Sequence, residues 1–80
     1  MEDQEISQTV LELLKRRYPD YVEFSDMCSK LKEAGSLTIE RILFKLEREG
    51  LVTLVTFPGF NQIMIDRVRL KSQKFKMERL

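Results

Sequence analysis

Histidine is absent from this 80-residue chain. Its absence removes the commonest general base, the Ser/His and Cys/His nucleophilic pairs, and most mixed Cys/His zinc sites. Cys28 is the only cysteine, so neither an internal disulfide nor a zinc ribbon can form. The three glycines, Gly35, Gly50 and Gly59, lie far apart, which excludes a glycine-rich phosphate loop and leaves each with a turn explanation. No apolar run approaches the roughly 18 residues a membrane span needs. The start carries Glu2, Asp3 and Glu5 rather than a basic region before an apolar stretch, so no signal peptide is expected. Internal repeats and low-complexity segments are also missing. Carboxylates are plentiful but fall on helical surfaces; Glu47 and Glu49 read as a solvated face rather than an acid/base pair. The expectation is a non-enzyme with no catalytic residue, no metal site and no cofactor. It is expected to be cytoplasmic, and nucleoid-associated if the source is prokaryotic.

What is present is 42% apolar and 34% charged, a globular balance. Eighty residues predict one domain over 1–80, burying only about 60–65% of its unfolded surface, so a partner subunit would help its stability. Residues 1–50 hold eight Lys/Arg against eleven Asp/Glu, whereas 51–80 hold six against two. The net charge of +1 therefore hides an electropositive last third, which suits one face offered to an anionic partner.

Apolar spacing predicts a first helix over 3–17, with Ile6, Val10, Leu13 and Leu14 as its stripe and Leu11 beside it. Lys15, Arg16 and Arg17 complement its carbonyl end, and Pro19 stops it. Tyr21–Phe24 reads either as a strand stub or as a loop with anchored aromatics. Ser25 or Asp26 is expected to cap a second helix over roughly 26–34, with Met27, Leu31 and Ala34 inward and Gly35 closing it. In that helix Cys28 reads as a half-buried packing residue, although a helix amino end also lowers thiol pKa values. A third helix follows, with Ile39, Ile42, Leu43 and Leu46 inward, Ser36 or Thr38 as its cap, and Gly50 as its stop. Residues 51–57 and 62–70 are strand-like, with a Pro58-Gly59 turn between them. In the second strand Ile63 and Ile65 share one face and Val68 and Leu70 the other; a bulge near Asp66, or a strand ending there, would bring both sets to the core. Residues 71–80 read as a basic tail or as a short extra helix covering Phe75 and Met77.

Two short helices joined by a tight turn, then Leu46-Glu-Arg-Glu-Gly-Leu-Val52 feeding a hairpin, resemble a winged helix-turn-helix domain, with MarR-like regulators the nearest pattern. The implied fold is α+β, mainly α: a three-helix core with a β-hairpin wing. The implied function is double-stranded DNA binding by a small, dimeric transcription regulator. Its helix 38–49 would enter the major groove, with Thr38 at its entry and Arg41, Lys45 and Arg48 in contact. By resemblance, Arg41 stands where such recognition helices often carry an arginine. The free N–H groups at Ser36–Thr38 suit a backbone phosphate. Arg67, Arg69 and Lys71 are the candidates for non-specific phosphate affinity, with Lys74 and Lys76 adding to them. A homodimer would form through the first helix or the 71–80 tail.

The wing departs from the pattern. Its tip, Phe57-Pro-Gly-Phe-Asn-Gln62, is aromatic and uncharged where MarR-like wings carry a basic tip. Glu40, Glu47 and Glu49 also neutralise helix 38–49. Phe44 falls in the presumed DNA-facing stripe, where it meets a thymine methyl, a protein partner, or the wing or first helix of its own domain. The alternative function is accordingly a protein–protein interaction module anchored by Phe44, Phe57 and Phe60.

Overall fold

The computed structural model describes residues 2–72. Its first helix, α1, spans Asp3–Arg17 and buries Ile6, Val10 and Leu14, with Leu11 and Leu13 packed at the margin. The Glu2 N–H donates to Glu5 Oε1 at 3.1 Å, satisfying one end group. The backbone turns extended at Tyr18, ahead of Pro19, because a proline disfavours a helical residue before it.

The Tyr21–Phe24 alternatives resolve to a strand. Val22–Glu23, β1, pairs antiparallel with the last strand of the domain. That pairing moves the second helix. α2 spans Phe24–Lys30 rather than 26–34, because the extended pair runs directly into the first helical turn. Glu23 is its N-cap and makes no side-chain cap bond, so the expected Ser25 or Asp26 cap is corrected: both lie inside the first turn. At the other end Leu31 leaves the helix at φ −119°, ψ 47° and is buried in the core, and residues 31–34 form a turn. Gly35 does not close α2. With φ 83° it is the N-cap of α3, Ser36–Arg48, and its carbonyl accepts from the Ile39 N–H at 3.2 Å. Neither Ser36 nor Thr38 caps α3, since both are already helical.

The far end of α3 follows the sequence reading. Gly50, at φ 80°, donates to the Glu47 carbonyl at 2.9 Å, and the Leu51 N–H reaches the Leu46 carbonyl at 3.0 Å. This pair of bonds satisfies two orphan carbonyls and turns the chain straight into a strand.

β2 spans Val52–Pro58 and β3 spans Ile63–Leu70, in a sheet of order β1-β3-β2. The Gly59 N–H donates to the Gln62 carbonyl at 2.7 Å and closes the hairpin. The expected bulge is present: Val55 opposes Arg67 and Thr56 opposes Ile65, leaving Asp66 unpaired. It returns Ile65, Val68 and Leu70 to the core, but Ile63 is 54% exposed because the hairpin has by then run past the helices. Val22, Val52, Val68 and Leu70 line the inner face of the sheet and share one apolar cluster with Ile39, Ile42, Leu43 and Leu46 of α3.

Three helices and an antiparallel hairpin thus make a small α+β fold with winged helix-turn-helix architecture. The reading of 71–80 as a tail or helix, with Lys74, Phe75, Lys76 and Met77, falls on residues 73–80 and lies outside the described residues. Lys71 and Ser72 are non-helical, and the Lys71 N–H donates to the Leu51 carbonyl at 3.0 Å. Among the described residues no helix is long and apolar enough to cross a membrane.

Candidate nucleic-acid interface

A helix that buries one stripe must present the other, and on α3 the presented stripe is the predicted one. Ser36, Leu37, Arg41, Lys45 and Arg48 are exposed, and Thr38 is half-buried. Leu37, in the first turn, is 77% exposed. Phe44 lies half-buried against the core cluster, so its packing alternative describes it best.

Arg41 is not free. Its Nη1 donates to Asp3 Oδ2 at 2.7 Å and its Nη2 to Asp3 Oδ1 at 3.3 Å, a two-point pair between the starts of α1 and α3. Both side chains remain largely open, at 61% and 55% exposure. The hydrogen bond from Arg41, then its charge and that of Lys45, hold the Asp3 carboxyl below its ordinary range. Arg41 is raised by the same bond. A guanidinium has five N–H donors and this pair occupies two, so three remain for other acceptors, carried by a pair with no net charge. Lys45 and Arg48 make no ion pair among the described residues. Lys45 borders a shallow groove between α1 and α3, shared with Asp3, Ser7, Leu11 and Glu49.

Arg67 and Arg69 sit elsewhere. Successive strand residues face opposite ways, so with Val68 and Leu70 inward these two project from the outer face of the sheet. There they flank the Tyr21 ring, with Cζ 5.6 Å and 5.3 Å from its centroid. Arg67 also pairs with Asp66 at 3.2 Å, and the Arg69 Nε is buried without a hydrogen-bond partner. Lys71 is exposed just past the end of β3. The sheet therefore separates Arg67 and Arg69 from the cations of α3, and the predicted contacts form two groups rather than one strip.

At the wing tip Phe60 is 91% exposed and Phe57 46%. Asn61 has φ 69°, a left-handed conformation that asparagine tolerates in a tight turn. Cys28 is half-buried, and its thiol is pushed up by burial and then by Glu40, which works against the reactive alternative. Among the described residues no cluster of three or more metal-ligating side chains occurs.

Two partners were missed by sequence reasoning, Asp3 for Arg41 and Tyr21 for Arg67 and Arg69. No local signal links Asp3 to a residue 38 positions away. Tyr21 was findable, because a strand at Val22 paired with β3 brings it beside the arginines.

No protein-family model matches the chain, and no curated protein or solved structure is significantly similar to it.

Proposed function

We propose that this domain binds double-stranded DNA as a small transcription regulator, with α3 entering the major groove. The observation that carries this reading is the exposed, cation-bearing outer face of α3. Leu37, Arg41, Lys45 and Arg48 are all exposed, with Asp3 of α1 bound to Arg41, and a helix presenting such a face after a short helix and a turn suits groove reading. On this reading Lys45 and Arg48 meet phosphate or base edges as unpaired cations, and Thr38 and the N–H groups at Ser36 lie at the entry. Arg41 contributes through the donors Asp3 leaves unused, with Asp3 opposing it electrostatically. Arg67, Arg69 and Lys71 lie off this face and add long-range attraction rather than contacts in the same groove.

The test is a fluorescence-anisotropy titration against random duplex DNA at two salt concentrations. Three to four phosphate contacts would weaken binding roughly a hundredfold between about 50 and 200 mM salt. No binding at the lower salt would end the proposal.

The second reading, a protein-interaction module, is favoured by Phe60 and Phe57 standing open at the wing tip. It rests on Phe57 and Phe60 alone, since Phe44 is engaged with the core. This reading predicts weak salt dependence and the opposite ranking of variants, with Phe57→Ala weakening partner binding more than Arg41→Ala.

A further inference from the structure

The two edges of the sheet are built differently. β1 is two residues long and carries Glu23, which blunts it as a template for another strand. β2, at the opposite edge, runs seven residues from Val52 to Pro58. It lacks two of the usual guards, charge and a bulge of its own. Its only proline is its last residue, and the bulge lies on β3, so β2 itself stays regular. In a chain that is 34% charged, no charged residue occurs from Gly50 through Ile65, a run of sixteen. Among the described residues nothing pairs with the outer side of β2.

We infer that β2 is a dimerisation edge: two copies of this chain pair antiparallel through β2 across a two-fold axis, joining their sheets into one of six strands. The absence of charge selects a second copy as the occupant. A two-fold contact sets each strand against itself, so any charge near the axis meets its own sign. A sixteen-residue uncharged run removes that repulsion from the strand and from the wing beside it. Full overlap of a seven-residue strand with its copy puts the axis at its middle residue, Val55. That register keeps inner faces with inner faces, placing Leu54 opposite Thr56 and Thr53 opposite Phe57. Phe57, now 46% exposed, gains a neighbour across the new pairing. The contact uses neither α1 nor the 71–80 segment, and it does not depend on DNA binding.

Sedimentation velocity on the full chain, without DNA, tests it. The wild type is expected at twice 9.5 kDa at sub-millimolar concentration. Val55→Lys, which sets two ammonium groups face to face on the axis, is expected to be monomeric with an unchanged circular dichroism spectrum. A monomeric wild type overturns the inference, including the case where β2 accepts a strand from a different protein. A Val55→Lys variant that stays dimeric also overturns it. If Val55→Lys fails to fold, isotope-filtered NMR on a mixture of labelled and unlabelled wild type decides. Contacts between Leu54 of one copy and Thr56 of the other support the pairing, and their absence refutes it.

Discussion

α3 and the hairpin leave the same core in opposite chemical states. Inward they are alike: Ile39, Ile42, Leu43 and Leu46 from one, Val52, Ile65, Val68 and Leu70 from the other, all buried in one cluster. Outward they diverge. The exposed face of α3 carries Arg41, Lys45 and Arg48 among nearby acids, while the hairpin carries no charge until Asp66. The shared inner half is what apolar burial requires of any strand or helix at this core. The outer halves differ as the two proposals require: cations on one for an anionic groove, and an uncharged edge on the other for a pairing strand.

The largest expected effect breaks both surfaces at once. Leu43 is fully buried, so Leu43→Ala should cost about 2–5 kcal/mol in urea unfolding, whereas Leu37→Ala, on the 77% exposed side of the same helix, should stay within about 0.5 kcal/mol. Equal costs would mean that α3 does not bury the face assigned to it. Next comes the joint between the two regions. Gly50 at φ 80° has open space around it, so Gly50→Ala meets only backbone strain, an expected loss of about 1–2 kcal/mol by thermal or urea unfolding.

The comparison sharpens on DNA. Lys45→Ala and Arg48→Ala should each weaken duplex binding and lower the log–log salt slope by about one, while Phe60→Ala at the uncharged tip should leave both unchanged. The reverse ranking, measured by the same anisotropy titration, would transfer the function to the wing.

The smallest effect is acid sensitivity. The Asp3 carboxyl titrates lower when folded than unfolded, so its contribution to stability is complete above the ordinary aspartate range. It fades as pH falls through the lowered folded-state value. Below about pH 4, Asp3→Asn should therefore lose less stability than the wild type on further acidification, by chemical unfolding at matched pH.

Local signals carried most of the architecture. The 3–17 helix was legible from one apolar stripe and a proline, and the end of α3 from a single glycine. The bulge at Asp66 was legible because a phase break in a strand has few other remedies. The limits of α2 were not, because pairing of Val22 and Glu23 with β3, a long-range contact, decided where the helix begins. The exposure of Ile63 depended on where the helices stop beneath the hairpin, which alternation does not encode. At the candidate site, the outward stripe of α3 followed from periodicity alone. The Asp3–Arg41 pair did not, since open ion pairs are weak and leave no pattern in sequence. The separation of Arg67 and Arg69 from α3 emerged only once the sheet was seen to lie between them.

The most direct measurement is the duplex-DNA affinity of Asp3→Asn beside the wild type at low salt. If the exposed flank of α3 meets DNA, removing the carboxylate that occupies Arg41 should tighten binding several-fold and steepen its salt dependence, a gain that unfolding cannot mimic. An affinity that is unchanged or weaker in a folded Asp3→Asn variant would contradict the account.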